Sequence, residues 1–250
     1  MKNPERCVRA PNVSCGDCSL NSLCLPIALE AEEIERLDGI VERGKPLHKG
    51  DFVYTQDQAF ASIFAVRSGS FKSYSMSDDG TELVTGFYFP GDVLGMDGIG
   101  RNRHASSAMA LETSSICEIP FDNLGQLSLQ IPSLQQHCFQ LISHEIVEDR
   151  QLLALISKSN AEERIATFLM SISNRKARHR LSPTRFRLAM NRADMGNYLG
   201  LTVETVSRVL SKLQKSGVLS VDHKEIHINE LEQLRAMSAL DGQFLEGARA

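Results

Sequence analysis

The 250-residue chain is 42% hydrophobic and 23% charged, with a formal net charge of −4 and six cysteines. This is the composition of one or two compact soluble units; it excludes long disorder, and no run of about 18 apolar residues offers a membrane span. The leading stretch MKNPERCVRAPNVSCGDC lacks the apolar centre of a secretory signal, so the chain is expected in the cytoplasm. Cysteines there more often bind metal or do redox chemistry than form structural disulfides.

The average charge conceals an asymmetry. Between Asn174 and Ser216 ten Lys/Arg stand against Asp194 and Glu204, a segment of +8 that leaves −12 for the rest of a −4 chain. Such a block is either a local polyanion site or a solvated basic face.

Residues 1–28 hold four cysteines and little periodicity. Residues 29–45 (LEAEEIERLDGIVERGK) are expected to form a short helix with Ile34, Leu37, Ile40 and Val41 on one face. From Pro46 to about Phe121, short β-rich runs alternate with turn signals such as Ser68-Gly69, Asp78-Asp79-Gly80 and Pro90-Gly91-Asp92. That texture predicts an antiparallel roll or sandwich over 29–122.

A helical period follows over 123–159, with Pro132 in the first turn of a long helix and no glycine or proline from Ser133 to Ser159. Roughly 27 residues would span about 40 Å, a length suited to a connector or an oligomer interface, though also to an ordinary core helix. Its stripe includes Leu141, Ile142, Glu145, Ile146, Asp149, Leu152 and Leu153. Asp149 favours the interface: buried in a core it would need a partner, whereas at a two-fold axis it would meet its own copy and keep the dimer weak.

The remainder, 160–250, begins with a helix from Asn160 through Ile172. Arg192–Tyr198 and Thr202–Lys215 are then spaced as a helix-turn-helix, with Gly200 at a left-handed joint and Thr202 as a cap. Val203, Glu204, Ser207 and Arg208 point outward. Arg208 can donate twice to guanine, and Glu204 can accept from cytosine N4, unless it serves only the helix dipole. Arg192, Lys212 and Lys215 suit phosphates, and Thr202 completes the DNA-facing set. VLSVDHKEIHI reads as two strands of a wing, and Leu231–Leu240 as a last helix. The fold class read from these elements is α+β: an antiparallel, jelly-roll-like β-domain, a long helix and a winged helix-turn-helix.

Cys15, Cys18 and Cys24 form C-x2-C-x5-C, and Cys117 follows after 92 residues. Three thiols plus one suit a [4Fe–4S] cluster; zinc and redox thiols are the alternatives. Cys138 reads as packing and Cys7 has no assigned role. Ser19 and Leu23 beside the candidate ligands either tune the site or pack a loop. Among the seven histidines none shows metal spacing, and there is no catalytic constellation, so an enzyme is not expected.

The runs CGDCSLNSLCLP, FAVRSGSFKSY, ELVTGFYFPGD, ALETSSICEIPF, NAEERIATFL and FRLAMNRADMGNYLGLTVETVSR closely resemble the fumarate–nitrate reduction branch of the cyclic-AMP receptor protein family. The resemblance makes the β-domain a sensor and the long helix a dimerisation helix, and implies that Cys15, Cys18, Cys24 and Cys117 hold an oxygen-labile [4Fe–4S] cluster that stabilises a DNA-binding homodimer when oxygen is absent. It implies that Glu204, Ser207 and Arg208 read TTGAT-type half-sites of a palindrome, and that Ile146 and Asp149 lie in the dimer helix. It also makes Ser75–Thr81 and residues 176–183 candidates for touching RNA polymerase. The cyclic-nucleotide relatives use a Glu and an Arg that here become Met96 and Ala105. Arg101 or Arg103 could restore a cation but not the Glu, so no cyclic nucleotide is expected.

Overall fold

The computed structural model describes residues 13–239; Cys7 and Leu240 lie outside the described residues. The chain forms two compact units, each described by itself. The first comprises residues up to Met76 with Gly86–Ile142, the second Ser77–Thr85 with the chain from Ser143 onward.

In the first unit, helix α1 (Ala31–Asp38) starts at a reciprocal cap between Glu30 and Glu33. The eight strands that follow are β1 (Glu42–Arg43), β2 (Phe52–Tyr54), β3 (Ser62–Ser68), β4 (Phe71–Met76), β5 (Glu82–Tyr88), β6 (Val93–Leu94), β7 (Ser107–Ala110) and β8 (Ser115–Pro120). They make two four-stranded sheets, ordered β1-β8-β3-β6 and β2-β7-β4-β5. Tyr54, Phe64, Val66, Phe71, Leu94, Ala108 and Ala110 pack between them.

The other face of the first sheet is also buried. Ile63, Ala65, Val93 and Ile119 lie under Leu25 and Leu37, under helix α2 (Phe121–Ser128), and under the start of helix α3 (Pro132–Lys158). Burial on both faces explains why β3 reads as the continuous apolar run SIFAV rather than an alternating one.

The expected helix over 29–45 is shorter than its pattern. It ends at Asp38, and Glu42–Arg43 is a strand paired with β8. Ile40 and Val41 still pack on the same core from a non-helical path, so the apolar spacing reported burial and not helix.

The second unit holds α4 (Ala161–Arg178), β9 (Arg185–Arg187), α5 (Arg192–Leu199), α6 (Val203–Lys215), β10 (Leu219–Asp222), β11 (Glu225–Ile228) and α7 (Leu231–Met237). Ile165, Leu169 and Met170 of α4, Met195 and Leu199 of α5, and Val206, Leu210 and Leu213 of α6 are its core. The wing has three strands, ordered β10-β11-β9, where the sequence suggested two. Helix α4 likewise runs six residues beyond the expected Ile172. Asn197 binds the backbone of the Ser77–Thr85 segment twice, accepting from Val84 N at 2.7 Å and donating to Glu82 O at 2.6 Å.

Candidate functional site

Strand register fixes the distant cysteine. Cys117 on β8 is opposed by Arg43 of β1 on one side and Ala65 of β3 on the other. Directly opposed residues share a face, and Ala65 belongs to the core beneath the helical cover, so the Cys117 thiol faces that cover. Cys24 packs against the same core. The segment bearing Cys15, Cys18 and Cys24 is a succession of tight turns: the N–H groups of Cys18, Asn21, Leu23 and Ile27 reach the carbonyls of Cys15, Cys18, Leu20 and Cys24. Buried Leu20 and Leu25 anchor it.

The four thiols are free and partly buried. Burial, aided by the Asp38 carboxylate, pushes Cys15 up to about 12, while Arg43 pulls the other way. Burial pushes Cys24 up to about 12 as well, and raises Cys117 against the pull of Arg43 and Arg67. The charge of Cys117 is felt at Cys15 and Cys24, and that of Cys18 at Cys24 and Cys117. The four sulfurs thus share one electrostatic neighbourhood. Among the described residues, no group of three or more His, Cys, Asp or Glu side chains is placed to hold a metal ion. Cys138 packs on the same core from α3, and burial raises its thiol too.

Two residues the sequence reading passed over complete this neighbourhood. Asp38 Oδ1 accepts the Cys15 N–H at 2.7 Å and pairs with the Arg43 guanidinium. Arg43 Nη2 donates to Cys15 Sγ at 3.5 Å. The signal was the strand register of Glu42–Arg43, which a helical reading of that segment hid.

The candidate nucleic-acid surface is built on α5 and α6. Asn191 caps α5, and Thr202 caps α6 by accepting from Thr205 N at 3.2 Å. Gly200 closes α5 in the left-handed region, φ 63° and ψ 40°. Helix α6 buries Val206, Val209, Leu210 and Leu213, which turns Val203, Glu204 and Arg208 to solvent, with Ser207 partly covered. Glu204 is held below the usual carboxylate range by its own backbone N–H and the Thr202 hydroxyl, so it is an ionised acceptor at neutral pH. Arg192 Nη1 donates to Ser207 Oγ at 3.0 Å. Lys212 is drawn into an ion pair with Glu162 of α4.

Along α3, Phe139, Ile146 and Leu153 recur at seven-residue spacing and are exposed. Ile142 and Asp149 fall between them at the alternate three-and-four positions, the a/d pattern of a helix-pairing seam. Leu141, Ile142, Glu145 and Leu152 are partly buried; Ile146, Asp149 and Leu153 are exposed. Partial enclosure raises the Asp149 carboxyl above its ordinary range.

Met96 opens a short helical turn in the first unit. The Asp97 carboxylate accepts from Ala105 N, Ser106 N and Ser106 Oγ at 3.1, 2.9 and 2.7 Å. No helix among the described residues is long and apolar enough to cross a membrane.

Comparison with known proteins places these features in a lineage. Residues 163–237 match the Crp-like helix-turn-helix domain, and residues 45–130 the cyclic nucleotide-binding domain. The chain is 48% identical to the transcriptional activator protein Anr of Pseudomonas aeruginosa over 241 residues, covering 96% of this chain and 98% of that one. It is 47% identical to the fumarate and nitrate reduction regulatory protein of Salmonella typhimurium over 226 residues, 90% of each. Among solved structures it is similar to FixK2 from Bradyrhizobium japonicum, with TM-score 0.74 and 26% identity over 81% of this chain and 99% of that one. The chain therefore belongs to the fumarate and nitrate reduction regulators, a family of DNA-binding helix-turn-helix regulators of transcription and not of enzymes.

Proposed function

We propose that this chain is a cytoplasmic, oxygen-responsive regulator in which Cys15, Cys18, Cys24 and Cys117 hold a [4Fe–4S] cluster that favours a DNA-binding homodimer when oxygen is absent. The carrying observation is the register that turns Cys117 toward the cover where Cys24 packs, with Cys117 and Cys18 felt at Cys24 and Cys18 felt at Cys117. The donor set fits such a group. Burial opposes ionisation at Cys15, Cys24 and Cys117, so a cationic centre is needed to make them thiolates, and Arg43 Nε beside them is a buried donor without an acceptor. When bound, the cluster supplies an iron–sulfur centre that oxygen can attack.

The rest is the work of the chain's own residues. Fixing Cys15–Cys24 against Cys117 orders the cover of the first sheet, on which Leu134, Cys138 and Leu141 of α3 also pack. The α3 seam carries Asp149, which meets its own copy across a two-fold axis and repels it. A few kcal/mol of ordering is then enough to move the monomer–dimer balance. The dimer sets two α6 helices in major grooves about 34 Å apart, reading a palindrome of TTGAT-like half-sites. Arg208 takes guanine and Glu204 cytosine N4, with Val203 and Ser207 beside them. Arg192, Thr202 and Lys212 face the backbone.

The turn at Ser75–Thr81 and residues 176–183 are the surfaces offered to RNA polymerase. That turn is firmly built: Asp79 Oδ1 accepts from Ser77 Oγ at 2.6 Å and Thr81 N at 3.0 Å. The reading needs no cyclic nucleotide, because Met96 and Ala105 offer neither a carboxylate nor a cation.

Protein purified under nitrogen is expected to be brown and to hold about four irons and four sulfides per chain. Colourless protein carrying zinc and no sulfide would overturn the sensor half and leave the DNA-binding half standing.

A further inference from the structure

Arg43 lies on β1, next to the candidate thiolate site. It is the cross-strand partner of Cys117, so its side chain leaves the sheet on the same face as that thiol. Its side chain is 15% exposed, and the guanidinium meets three partners. Nη2 donates to Cys15 Sγ at 3.5 Å and to Asp38 Oδ1; Nη1 donates to Val41 O at 3.5 Å. Asp38 in turn takes the Cys15 N–H at 2.7 Å. Arg43 and Asp38 therefore hold one cysteine by both its backbone and its sulfur, beside the sulfur of another. The remaining donor, Nε, is buried and has no partner. A buried N–H without an acceptor is rare in native proteins and calls for a physical account. The same guanidinium already meets the Cys15 sulfur, and Cys117 stands opposite Arg43 across the strand pair, so a cation here lies beside two of the four candidate thiolates.

We propose that Arg43 is a positioning residue of the thiolate centre: it donates to the Cys15 sulfur, offers its Nε–H to a further sulfur of the group the four cysteines hold, and offsets their negative charge. The inference rests on the cluster reading. Hydrogen bonds to sulfur and nearby positive charge both raise the reduction potential of an iron–sulfur centre and slow its oxidation.

The test compares wild type, Arg43→Lys and Arg43→Gln, each full-length and reconstituted without air. Iron and sulfide content, the reduction potential of the bound centre, and the half-life of its visible absorption in air are measured, together with the thermal midpoint of each metal-free protein. Arg43→Gln is expected to bleach about fivefold to tenfold faster than wild type and to have a more negative potential. Arg43→Lys, which keeps the charge but not the fork of donors, should lie between. Equal potentials and half-lives in all three would overturn the proposal. So would variants that differ only in the thermal midpoint of the metal-free protein, which is the mark of a purely structural ion pair. Should Arg43→Gln fail to fold, Arg43→Lys against wild type decides alone. Wild type without iron and sulfide defeats the cluster reading itself, a different result from a loaded wild type matched by its variants.

Discussion

Arg164 reaches across to Gly200. From the first turn of α4 its Nη1 donates to Leu199 O at 3.0 Å and to Gly200 O at 3.4 Å, while Nη2 and Nε donate to Ile156 O at 2.6 Å and Ser159 O at 2.9 Å. One side chain thus satisfies carbonyls at the ends of both α3 and α5, which no helix can satisfy for itself. Arg164→Ala is expected to cost about 3 kcal/mol, because each deserted acceptor is left partly buried. Urea unfolding of the metal-free protein measures it.

The turn of the helix-turn-helix rests on two glycines with different tasks. Gly200 supplies a positive φ, and a Cβ there would lie 3.4 Å from Arg164 Nη1. Gly200→Ala should cost about 1–2 kcal/mol. Gly196 has ordinary dihedrals, but a Cβ would stand 2.6 Å from Leu201 O, which is backbone and cannot swing aside. Gly196→Ala is expected to be the worse of the two in thermal unfolding and to abolish operator binding.

The ion pair between Lys212 and Glu162 further separates Lys212 from Arg208, its neighbour one turn earlier on α6. Arg208 is exposed, so Arg208→Ala should weaken binding to the operator by about 10- to 100-fold while weakening binding to unrelated DNA much less. Lys212→Ala should cost less and act evenly on all sequences, since phosphate must compete with Glu162 for the ammonium. Competition binding against an operator altered at one half-site distinguishes them.

At the α3 seam, Asp149 is the one acidic residue in the alternate positions between Phe139, Ile146 and Leu153. Asp149→Ala removes a like-charge contact and should tighten dimerisation of the metal-free protein by at least about tenfold. Sedimentation equilibrium in air reads it; an unchanged dissociation constant would exclude Asp149 from the interface.

Much of this architecture is legible in the sequence because local chemistry and tertiary packing agree. Pro132, the unbroken run to Ser159, the Thr202 cap and the Gly200 joint each announce their element. The two missed strands share one cause, which is pairing between residues far apart in the chain. Glu42–Arg43 carries helical spacing yet pairs with β8, and Arg185–Arg187 joins the wing through β11 without any turn signal of its own. The thiol motif was visible as spacing. Its Asp38–Arg43 support was not, because register with Cys117 exists only once the sheet is folded.

The cluster-controlled dimer is tested most directly by following one anaerobic sample during a timed exposure to air, recording visible absorption, sedimentation and operator binding together. The expected result is that colour, dimer and operator binding decline in step, and that Cys117→Ser starts colourless, monomeric and unbound. A colourless protein that dimerises and binds its operator equally well with and without air would contradict it.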